Sequence, residues 1–188
     1  MFMHFIHSLN WVDIVVLGLA IRIIFIGMQT GIMSEFMKVL GLIVALFVSF
    51  QYYIIVGGFI KLGGKIPDGF FIAAGFLVIW GVVTVVFKFL RQGLFALFTV
   101  QTITALDKWG GVLLAVGRFI LTASMVMFVF LVTGNEYLQT KTADAFSRPY
   151  FVDVAPRLYK GLSDKFVSRV APDLKYNSAV RDTLKVLE

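Results

Sequence analysis

Cysteine is absent from the 188 residues, so disulfides, thiol catalysis and cysteine-ligated metal centres are all excluded. Histidine is scarce too, confined to His4 and His7. Their i, i+3 spacing allows a shared helical face, but no third ligand lies nearby, and neither a metal site nor a cofactor is expected. A Ser-His-Asp arrangement would have to borrow one of them from the N-terminal stretch, which argues against a hydrolase. Charge is sparse at 15% of residues, and the net +6 comes from scattered Lys and Arg. Such scatter suits orientation and headgroup contact better than nucleic-acid binding. What remains is apolar: 59% hydrophobic residues and a mean hydropathy of +0.90, more than a soluble globule of this size can hide.

The apolar residues fall into four blocks, about 11–30, 35–56, 70–90 and 108–132. Each is near the roughly 20 residues that cross a 30 Å hydrocarbon core. The sequence therefore predicts an all-α polytopic membrane protein. A four-helix transmembrane domain fills residues 1–133, with an amphipathic connecting segment at 92–106, and a short helical tail fills 134–188. Asn10 can cap the first helix, with Asp13 facing the orphan amides of its first turn. Gly31 gives an exit, Ser34 a second cap, and the gap between them suits only a tight hairpin. Gly57-Gly58 is expected to end the second helix, and Asp107 to cap the fourth. The first ten residues carry no Lys or Arg and no small-residue cleavage site follows, so the first block reads as a retained helix.

The tail holds nine of the seventeen basic and seven of the eleven acidic residues, which reads as aqueous. Val154, Ala155, Leu158, Leu162, Phe166, Val167 and Val170 recur at near-helical spacing, predicting one or two amphipathic helices. So short a segment makes a poor core alone and should pack on the membrane surface, the bundle or a partner.

Arg22 and Arg118 both sit inside apolar blocks, about 12–15 Å in from the hairpin side at helical rise. An arginine there costs from a few to more than ten kcal/mol unless it snorkels, pairs or meets water. One reading has both snorkel and bond backbone carbonyls, Thr84, Thr122 or Ser124; the other has them form a cationic lining for an anionic lipid, a substrate or a pore. No carboxylate is expected at the centre of a span. Asp13, Glu35 and Asp107 fall near predicted helix N-termini, where negative charge meets the positive end of the helix dipole, and read as caps. Cation-coupled transport is therefore not expected. Gly27 and Gly31, with Gly111 and Ala115, form small faces that let helices approach closely, within one chain or between copies.

Taken together, Asn10, Trp11, Val12 and Asp13, then Gly31, Glu35 and Gly41, then Leu106, Asp107, Lys108, Gly111, Ala115 and Arg118, resemble the colicin V production protein family of bacterial inner-membrane proteins. The stretch 147–156 extends the resemblance into the tail. The chain departs from it at Thr30 and Ser34, where the family tends to carry cations. The resemblance implies a four-helix protein of the bacterial inner (cytoplasmic) membrane linked to colicin export, envelope integrity or stress tolerance, with both termini periplasmic. The expected function is a non-enzymatic scaffold or assembly protein, homo-oligomeric in the lipid bilayer. Its tail would be free to meet other envelope proteins. The rival is an oligomeric channel or anion-selective pore lined by the fourth helix through Gly111, Ala115 and Arg118.

Overall fold

The computed structural model describes residues 10–61, 67–97, 105–167, 169 and 176–185. These are helical, with no strand among them: α1 (Trp11–Ile60), α2 (Asp68–Leu97), α3 (Ala105–Val132), α4 (Glu136–Ala143), α5 (Arg148–Phe151), α6 (Val154–Leu162), a π-helical turn (Ser163–Val167) and α7 (Ala179–Leu184). Three helices, α1 to α3, are long and apolar enough to cross a membrane.

The first two predicted helices form one helical run broken only at Gly31, whose φ of 68° and ψ of 167° lie outside the helical region. That positive φ is open to glycine and strained for other residues. A straight helix of this length would extend about 75 Å. Instead both limbs run along α3 in opposite directions. On the first limb Arg118 reaches the carbonyl of Ile23 while Gly27 meets Ala115, so numbers rise on one helix as they fall on the other. On the second limb Glu35 meets Arg118 and Phe50 meets Phe128, so both rise together. The chain folds back at Gly31, and the hairpin needs no loop.

Other predicted boundaries shift for identifiable reasons. Gly57 does not end the helix: a Cβ there would lie 2.7 Å from the Ile72 backbone, so the glycine serves close approach of α1 and α2, and α1 continues to Ile60. Ser34 sits inside the helical run rather than at a cap, its hydroxyl accepting from Arg91 at 3.0 Å. The second helix of the hairpin therefore starts without that cap. α2 continues past Arg91 to Leu97, so part of the expected connecting segment extends the helix; residues 98–104 lie outside the described residues. α3 begins at Ala105, placing Asp107 in its first turn.

The core is aromatic. Phe50 packs against Phe128, Phe76 and Tyr159 with ring centroids 4.6, 5.3 and 5.4 Å apart, and Tyr53 joins from the next turn. Each pair of this kind contributes about 0.5–1.5 kcal/mol beyond area burial. Tyr159 belongs to the tail, so the tail is built into the core.

Candidate functional site

Two polar constellations form at opposite ends of the bundle. At the tail end, the N–H of Asn10 donates to the Asp13 carboxylate at 3.0 Å, the capping box expected from the sequence. The same carboxylate accepts from the Ser147 hydroxyl at 2.6 Å and from the N–H groups of Ser147 and Phe146 at 2.9 and 3.2 Å. The Asn10 amide donates to the Lys141 carbonyl. Trp11 packs its ring on Phe130. Asp13 is thus a cap and also a tie across the whole chain.

The tail continues inward from that tie. Ser124, fully buried, accepts from the Ala155 N–H at 2.8 Å and donates to the Val152 carbonyl at 3.3 Å. It lies eight residues from the end of α3, about 12 Å along the helix. Phe151 reaches further, to Phe119, with centroids 5.3 Å apart. The Tyr159 hydroxyl bonds Gln51 and accepts from the Asn177 N–H at 3.0 Å, while the Asn177 amide donates to the Phe50 carbonyl. Burial pushes the Tyr159 hydroxyl up from its ordinary range, which keeps it a donor. These contacts pack the tail on the bundle, one of the three places expected for it from the sequence. Residues 145–159 run beside the final turns of α3, because Ser124 and the aromatic cluster offer partners that water would otherwise have to supply. Ala155 and Leu158 of the predicted apolar face pack inward, whereas the side chains of Phe166, Val167 and Val170 lie outside the described residues, as do His4 and His7.

At the hairpin end, the Gly31 reversal brings Thr30 and Glu35 together. Glu35 is completely buried. Its Oε1 accepts from the Thr30 hydroxyl at 2.6 Å and from the Lys38 ammonium, and its Oε2 lies 3.2 Å from an Arg118 guanidinium nitrogen. That last contact is an ion pair by distance whose angles do not make a hydrogen bond, and Arg118 Nε is buried without a partner. The reading of Glu35 as a cap, and of Arg118 as lacking acidic company, is corrected. Four residues beyond the reversal, Glu35 turns into the bundle, and the arginine reaches toward it from α3. Arg118 also donates to the carbonyl of Ile23, the residue after Arg22, but the two arginines differ in fate. Arg22 is exposed beside Ile21 and Phe25 and makes no hydrogen bond or ion pair among the described residues.

Beside this ion pair opens a cavity of about 260 Å³ between the second limb of α1, α2 and α3. Its wall includes Lys38, Lys88, Arg91 and Arg118, with Thr84, Trp80 and Phe87. Gly41 forms part of the floor, where a Cβ would meet the Phe87 ring at 2.8 Å. Lys38, Lys88 and Arg91 belong to the scattered basic residues of the sequence, and no motif there marks them as one site. Thr30 and Ser34, the departures from the family pattern, bond Glu35 and Arg91 respectively.

The small residues are spent inside the chain. A Cβ on Gly27 would lie 2.3 Å from that of Ala115, and one on Gly111 would lie 2.8 Å from the Gly27 carbonyl oxygen. Gly111 and Ala115 therefore face the first limb of α1 and not a lumen. Asp107 and Lys108 sit in the first turn of α3, eleven and ten residues before Arg118.

A helical bundle whose long helices are apolar outside and cross-tied by polar groups inside is the architecture of a multi-pass membrane protein. Residues 12–156 match the family model described as colicin V production protein, most of the chain, and the chain belongs to that family. No curated protein and no solved structure matches it.

Proposed function

We propose that this chain is a non-enzymatic scaffold or assembly protein of the bacterial inner membrane that supports peptide export or envelope homeostasis. The limbs of α1 cross separately, giving four spans, with both termini periplasmic. The observation that carries the reading is the Asn10–Asp13–Ser147 joint: residues that carry the family resemblance are used to lock the tail onto the first helix. Polar groups at Asp13, Ser124 and Ser147 are engaged in holding elements together, which is what a rigid platform requires. Self-association is part of the proposal, and its surface is the α3 stripe of Leu106, Trp109 and Leu113, each at least 75% exposed. The Gly27 and Gly111 faces are already occupied within the chain.

The test is mass measurement in mild detergent and in nanodiscs, with copurified proteins identified. An oligomer, or a specific envelope partner lost on deleting the tail, supports the proposal. A strict monomer that copurifies with nothing overturns it. The channel reading draws support from the cation-lined cavity, although that cavity is walled mainly by α1 and α2. Bilayer conductance that disappears in Arg118→Leu would favour it.

A further inference from the structure

We infer that the cavity between α1, α2 and α3 binds the phosphate of an anionic phospholipid headgroup, gripped by Lys38, Lys88, Arg91 and Arg118. The inference holds whether or not the chain self-associates. Four cations line the cavity, and among the described residues the carboxylate that pairs with them is Glu35, one negative charge against four positive. Glu35 engages two of them from behind: Lys38 and Arg118 are only 17% and 15% exposed, so their positions are fixed by a buried partner and not by chance at a surface. Arg91 is steadied by Ser34, and Lys88 makes no hydrogen bond or ion pair among the described residues. Arg118 Nε is buried and makes no hydrogen bond among the described residues.

Such an excess in a low-dielectric setting is costly unless an anion completes it. Phosphate suits the donor set, since planar guanidinium groups pair with its oxygens and ammonium groups act as point charges. Access points to lipid. Thr84 and Lys88 are exposed at the mouth, and along the same helix Val82, Val85, Val86 and Phe89 are all about half exposed or more, so the opening lies on an apolar outer surface. A volume of about 260 Å³ falls just under the roughly 300–1,000 Å³ of sites that enclose drug-sized ligands, which leaves room for a headgroup while acyl chains stay outside. Lys38 lies seven residues from the Gly31 turn, about 10 Å along the helix, and so on the hairpin side of the bundle.

The experiment uses the full chain in nanodiscs of phosphatidylcholine alone or with phosphatidylglycerol, and native mass spectrometry of retained lipid at low and high salt. The expected result is selective retention of phosphatidylglycerol that survives high salt, because general headgroup attraction is screened and a walled site is not. Lys88→Gln with Arg91→Gln, which leave the Glu35 ion pairs intact, should weaken retention about tenfold or more, equivalent to about 1.4 kcal/mol. Lys61→Gln, at the far end of α1, should not. Inorganic phosphate is the second probe. Binding of phosphate to the protein without lipid selectivity would overturn the lipid source, and equal retention of both lipids, or no effect of the double variant, would overturn the site.

Discussion

Two carboxylates meet opposite fates at the two ends of one bundle. Asp13 is surrounded by neutral donors, two backbone N–H groups and a hydroxyl from the tail and one N–H from its own cap, and the constellation closes on itself. Glu35 is surrounded by cations and outnumbered, and the constellation opens into a cavity. A carboxylate satisfied by neutral hydrogen bonds holds structure together, because nothing is left over. A carboxylate that positions more cations than it can neutralise presents positive charge to whatever arrives. The same residue class thus does architectural work at one end and prepares recognition at the other.

The comparison is broken most severely by removing Glu35. Glu35→Ala leaves Lys38 and Arg118 facing one another without an anion, and breaking a buried pair from one side costs about 3–5 kcal/mol. A large fall in thermal unfolding temperature in detergent is expected. Adding Arg118→Met should restore part of it, and strict additivity of the two changes would show that the ion pair carries no coupling. Asp13→Ala should cost somewhat less, about 1.5–3 kcal/mol, because the lost bonds are charge-assisted but the donors left behind are neutral. Limited proteolysis is the sharper readout, with cleavage within residues 145–160 accelerating while the bundle stays protected.

Gly27→Ala tests the packing between these ends. Its Cβ would collide with Ala115, and overpacking costs typically about 1–3 kcal/mol, whereas Gly18→Ala, which meets nothing, should be neutral or stabilising. The smallest perturbation is topological. Because the chain contains no cysteine, a single introduced thiol reports which side of the membrane it occupies. Met33→Cys should react from the side opposite to Phe59→Cys and Glu136→Cys. Labelling of all three from one side would refute separate crossing by the two limbs of α1.

Helix content and the presence of helices long and apolar enough to cross a membrane were legible in the sequence, because lipid imposes length and hydrophobicity on any crossing segment. The capping box at Asn10 and Asp13 was legible as well, since both partners are local. The continuity of α1 through residue 31 was not: glycine permits a loop or a single-residue reversal equally, and only contact with α3 selects between them. Glu35 was misjudged because distance from a presumed helix start says nothing about which way a side chain turns once the chain doubles back. The cavity was hidden for another reason, its four cations being spread over three helices with no periodic signature. The docking of the tail depended on Ser124 and Tyr159, polar groups whose partners lie 28 to 108 residues away.

The Asp13 joint also sets an order of events during synthesis. Its partner Ser147 lies 134 positions downstream, so until that residue has left the ribosome the Asp13 charge has only the N–H of Asn10, in its own cap, to meet it. Closing such a long separation is entropically slow, so the joint forms long after the helix it caps.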